Sequence, residues 1–114
     1  MFGERTVTVD GGSMDLPTIS HWKAPETMTV TFNPSEGLRT LVVDHRFYKI
    51  FSLTIDPRPM VTVAMTGRTG YEFPADPYAK LAVVLRLQTQ RPLFHEFDIG
   101  IGDDVVNRSV FVFP

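Results

Sequence analysis

The chain has 114 residues, 43% of them hydrophobic and 21% charged, enough for one domain with its own core and a poor match to a disordered segment. A net charge of −2 gives no global support to a surface for nucleic acid or for an acidic membrane, and neither partner is expected. The absence of cysteine excludes disulfides, thiolate metal sites and cysteine nucleophiles.

Residues 1–5 lack a basic stretch followed by an apolar one, so no secretory leader is expected. Thr6-Val7-Thr8-Val9 alternates polar with apolar, the pattern of a half-buried strand, and Gly11-Gly12-Ser13 breaks it. His21 stands beside Trp22, the only tryptophan. Trp can stack on a sugar or base when exposed, and it anchors cores and subunit contacts when buried. Met28, Val30 and Phe32 alternate with Thr27, Thr29 and Thr31, which predicts a strand with the apolar set inward. Asn33-Pro34-Ser35-Glu36-Gly37 reads as a turn.

The β pattern of residues 38–55 is too long for one strand and is expected to break at Asp44-His45-Arg46. Phe47, Phe51, Leu53 and Ile55 then share a face, interrupted by Lys49. On a strand, Asp44 and His45 point to opposite sides and form no acid–base pair, so a polar break is the reading. Asp56-Pro57-Arg58-Pro59 stops the run. Val61, Val63 and Met65 alternate with Thr62, Ala64 and Thr66, and Gly67-Arg68-Thr69-Gly70 is expected to be a turn or short loop.

Asp76-Pro77 is a fitting helix start, and residues 78–90 tolerate a helix. Leu81, Val83, Leu85 and Leu87 nevertheless fall on odd positions and Lys80, Arg86, Gln88 and Gln90 on even ones, which favours a strand. At most one helix is expected, near residues 77–90. The longest apolar run, residues 81–85, is far short of the roughly 18 residues of a membrane helix.

Leu93, Phe97, Ile99 and Ile101 share the next face, and Gly102-Asp103-Asp104 suits a hairpin. Residues 98–104 resemble one turn of the glycine–aspartate repeat of calcium-binding β-rolls, but that repeat works by stacking copies. His95, Glu96 and Asp98 have ligand chemistry, yet alternation separates His95 from the two carboxylates. No metal or other cofactor is expected. Nucleophile-elbow, phosphate-loop, dinucleotide and His-Glu-x-x-His motifs are all missing, so no enzyme activity is expected.

In the last strand Val110 and Val112 point one way, Phe111 and Phe113 the other. A strand apolar on both faces is normally covered on both. These four are therefore the expected interface residues, either in a central strand whose outer face meets a neighbour or in a strand added to a neighbour's sheet. The fold expected for residues 1–114 is a single-domain, mainly β, antiparallel sandwich or small barrel of about seven to nine strands. The expected function is that of a self-assembling structural subunit. Its partners are copies of itself and other virion proteins, and the concrete expectation is a bacteriophage head-decoration, coat or tail component made in the host cytoplasm. The alternative is a small recognition module for a glycan or protein, with His21, Trp22, Tyr48 and Tyr71 as contacts.

Overall fold

Alternation turns most of the chain into strand, and a computed structural model describes residues 4–114 as two packed sheets. In chain order the elements are β1 (Glu4–Val9), β2 (Gly12–Pro17), β3 (Ile19–His21), β4 (Pro25–Phe32), β5 (Arg39–Asp44), α1 (His45–Ile50), β6 (Phe51–Asp56), β7 (Val61–Met65), β8 (Arg68–Phe73), β9 (Leu81–Thr89), β10 (Leu93–Ile101) and β11 (Asp104–Phe113). One sheet has the order β1-β2-β4-β9-β6 and is antiparallel throughout. The other has the order β3-β11-β10-β5-β8-β7 and is antiparallel except that β3 runs parallel to β11.

The core fills the space between the sheets. Met14, Met28, Val30, Phe32, Val83 and Leu85 enter it from the first sheet. Leu41, Val43, Phe73, Phe97, Ile99, Val110 and Val112 enter from the second. The inward assignment of Met28, Val30 and Phe32 holds, each being 0% exposed. Each fully buried side chain of this kind contributes roughly 1.5–3 kcal/mol relative to exposure. A radius of gyration of 13.6 Å agrees with the roughly 13 Å of one compact domain near this length.

The sandwich is as expected, and four details differ from the sequence reading. Eleven strands are present among the described residues, and β2, β3 and β8 lie outside the expected set. β2 hides behind the glycines. Gly12 opens it at φ +152, and a Cβ there would collide with the Thr31 carbonyl oxygen, so the apparent breaker is a requirement of close strand approach. Likewise Arg68 and Gly70 lie in β8, and the β7–β8 turn is Thr66-Gly67, with Gly67 at φ +70.

The second difference is the helix. Residues 81–89 form a strand, as their alternation favoured, with Val83, Leu85 and Leu87 buried. Asp76 does cap backbone N–H groups, those of Tyr78 and Ala79 at 2.9 and 3.1 Å, but the turn it makes does not propagate into a helix. The helix is α1, at the expected break. Asp44 is its N-cap and accepts from the Phe47 amide at 3.3 Å. Phe47 and Ile50, three residues apart, bury its inner side, and Lys49 sits in its last turn. Phe47 thus belongs to a helical face, while Phe51, Leu53 and Ile55 alone share the inward face of β6.

Third, Leu93 does not join the core with Phe97, Ile99 and Ile101. It is 59% exposed, with φ +80. Fourth, the end of β11, at Phe111 and Val112, lies between β10 and β3. That end of the strand has no open side within its sheet at which a neighbour's strand could add. The true edges of the six-stranded sheet are β3 and β7. All five residues of β7 are exposed.

Candidate functional site

The outer face of the six-stranded sheet carries an uncovered aromatic surface around β11. Alternation turns Val110 and Val112 inward, at 1% and 0% exposure, which obliges Phe111 and Phe113 to face outward. Register then decides what stands beside them. Phe111 lies between Phe94 of β10 and Ile19 of β3, and Phe113 lies opposite His21. The Phe111 and Phe113 rings meet edge to face at 4.9 Å, and Phe113 stacks on His21 at 5.6 Å. Phe94, Phe113 and Ile19 are 60%, 45% and 40% exposed.

Trp22 follows directly on β3. Its backbone N–H donates to the Phe113 carbonyl at 2.7 Å, and its indole N–H to the Gln90 carbonyl at 3.1 Å. Lys23 lies over the indole, 4.9 Å from the ring centroid, with φ +62. Buried Thr89 fixes this corner by donating to the His21 carbonyl at 2.6 Å and accepting from the Ala24 amide at 3.2 Å. The two non-glycine residues with positive φ among those described, Lys23 and Leu93, both border the aromatic surface.

Tyr48 and Tyr71 form a separate feature. Their hydroxyls share a hydrogen bond at a groove of about 550 Å³ that Leu53, Ile55 and Arg58 also line. β3 and β8 are four strand spacings apart in the sheet order, about 19 Å. His21 and Trp22 are therefore brought together, Tyr48 and Tyr71 are brought together, and the two pairs do not form one platform. Burial, and then the Tyr48 hydrogen bond, push the Tyr71 phenol above its ordinary pKa. The unfolded chain would release this proton near pH 10 while the folded chain keeps it, so stability contributed by Tyr71 falls as pH rises above about 10. A titration of phenolate absorbance is expected to show a late component that Tyr71→Phe removes. An unchanged profile in the variant would refute the assignment.

Four charged residues, Asp44, Arg46, Arg68 and Asp98, are matched among themselves. Arg46 bridges Asp44 at 2.8 Å and Asp98 at 3.3 Å, and Arg68 reaches Asp98 at 3.6 Å. Asn107 also donates to Asp98, at 3.0 Å. The hydrogen bond to Asp44 raises the pKa of Arg46 further. Asp44-His45-Arg46 is therefore a helix cap with an ion pair. His95 is tied to the Pro92 carbonyl at 2.9 Å and takes no part in the ion pairs of Asp98. No group of three or more His, Asp or Glu side chains among the described residues is placed to hold a metal ion. The hairpin expected at Gly102-Asp103-Asp104 is present, with Asp104 already in β11 and Gly102-Asp103 as its two-residue turn. Gly102, its first residue, has φ +60, and Asp103 is not in the positive-φ region, the pattern of a type II′ hairpin.

No helix among the described residues is long and apolar enough to cross a membrane. Comparison with models of known families, with curated proteins and with solved structures finds no match for this chain.

The sequence signal behind the aromatic surface is divided. Phe111 and Phe113 are legible from alternation, whereas Phe94 and Ile19 join them only through strand register.

Proposed function

We propose that the chain is a non-enzymatic structural subunit that works by associating with copies of itself. The observation that carries this reading is the row Phe94-Phe111-Ile19, extended by Phe113, which the chain's own fold leaves uncovered on the outside of a sheet. Two residues with costly backbone conformations border that surface, which favours a role for its shape beyond folding. The opposite edge strand, β7, adds a second uncovered apolar surface through Val61, Val63 and Met65. Association of two unlike surfaces repeats from copy to copy and builds rings or filaments.

Light scattering is expected to give an oligomeric mass for the parent protein and the monomer mass for Phe94→Ser/Phe113→Ser. Both side chains are exposed, so the variant should keep the parent's fold. A parent that remains monomeric at high concentration would overturn the reading. The setting proposed for this subunit is a bacteriophage virion, in a head-decoration, coat or tail role alongside other virion proteins. A small β-sandwich with uncovered outer surfaces supports it. Negative-stain electron microscopy of the concentrated protein should then show regular rings, tubes or shells. Irregular aggregates would argue against this setting.

A further inference from the structure

The open side of the sandwich holds a cleft that shares Phe94 and Phe111 with the proposed association surface. β3 pairs with β11 only over Phe111, Val112 and Phe113, so the stretch of β11 before Phe111 has no strand on that side. β1 is the outermost strand of the facing sheet. The chain crosses between the sheets here, at Pro17 and Thr18, and the Phe111 amide donates to the Thr18 carbonyl at 3.0 Å. What remains is a cleft of about 180 Å³ whose lining includes Val7, Leu16, Phe94 and Phe111, together with Arg5 and Arg108.

Two features make this more than a packing gap. The Nε of Arg108 is buried and has no hydrogen-bond partner. Unpaired buried donors are rare, and one on a charged group is the most costly kind. In addition, the ion pairs among the described residues use Arg46, Arg68 and Arg86, leaving Arg5 and Arg108 without a carboxylate. Two guanidinium groups with no ion pair among the described residues therefore line the same cleft as Phe94, Phe111, Val7 and Leu16.

We propose that this cleft binds a compact carboxylate carried on an aromatic or apolar body. The carboxylate would lie between the Arg5 and Arg108 side chains that line the cleft, because charge-assisted hydrogen bonds to a guanidinium match a carboxylate in charge and shape. The body would rest against Val7, Leu16 and the two phenylalanines. The volume is below the roughly 300–1,000 Å³ of pockets for drug-sized ligands, so a single ring is the fitting size. A free aromatic acid and the terminal carboxylate of a peptide ending in phenylalanine share this chemistry.

The test is a titration of the intact chain followed by amide NMR shifts. Benzoate represents the free acid and N-acetylphenylalanine the chain terminus. Acetate lacks the ring, and benzyl alcohol lacks the charge. At least one of the two aromatic acids should shift the amides of Val7, Leu16 and Phe111 saturably, and whichever binds more tightly identifies the source. Acetate and benzyl alcohol should bind at least about tenfold more weakly. Arg108→Met keeps the aliphatic packing and removes the unsatisfied donor. It should lose affinity by about tenfold or more while melting no lower than the parent. Arg5→Gln, at an exposed position, supplies a second variant with the same expected loss of affinity should Arg108→Met fail to fold. No saturable shift from either aromatic acid at millimolar concentration would overturn the proposal. So would equal binding of benzyl alcohol, or affinity unchanged in the variants.

Discussion

Replacing Val30 with aspartate is expected to destabilise the protein by about 4 kcal/mol or more, among the largest effects a single substitution can have. Val30 is 0% exposed in the middle of β4. It lies opposite Met14 on one side and Val83 on the other, both also 0% exposed, so a carboxylate there would meet only hydrocarbon. The group must either ionise without a partner or bury a neutral acid, and both are costly. With roughly 4–8 °C lost per kcal/mol in a small domain, the melting temperature should fall by about 15–30 °C, or the variant should not fold at all. Thermal unfolding followed by circular dichroism measures this. A variant that melts within a few degrees of the parent would show that Val30 does not face the core.

Deleting residues 110–114 should be equally severe, and for a reason that alternation only half supplied. The segment carries Val110 and Val112, at 1% and 0% exposure, along with the exposed Phe113 and the partly exposed Phe111. Removing two buried valines costs roughly 3–6 kcal/mol of burial. The cut also strips β3 of its pairing partner and takes the start of β10, Leu93 to His95, out of its ladder. The expected result is an unfolded or aggregated chain, visible as loss of dispersion in an NMR spectrum. Phe111→Ser/Phe113→Ser, by contrast, removes the outward pair and leaves the inward one. It should preserve the fold and change the oligomeric mass. If the truncated chain stays folded, the placement of Val110 and Val112 in the core is wrong.

Much of the sandwich was legible because its longer strands obey a period of two. β4 and β9 alternate cleanly, and both bury the predicted side. The same rule misled at Phe47. Its odd number continues the series of Phe51, Leu53 and Ile55, and six residues of helix give the single spacing Phe47–Ile50 as a contrary sign. β3 is three residues long and shows no period of its own. Its parallel pairing with β11 joins residues about ninety positions apart, which no local pattern announces. The same limit applies to the surfaces. The outward direction of Phe111 and Phe113 could be read, whereas the meeting of Arg5 with Arg108 depends on how the two sheets close at β1.

The interleaved strand order also governs when the chain can fold. β9 stands between β4 and β6, and β10 joins β11 to β5. While the first eighty residues leave the ribosome, both sheets are missing a central member, and the apolar faces of β2, β4 and β5 lack the β9, β10 and β11 side chains that complete their core. Closure waits for the last third of the polypeptide. Topologies dominated by such distant pairings fold over milliseconds to seconds, far slower than helical proteins of similar size. During that interval the unfinished chain is exposed to proteases and to aggregation. Prematurely terminated products are therefore expected to be cleared or deposited instead of persisting as partial domains.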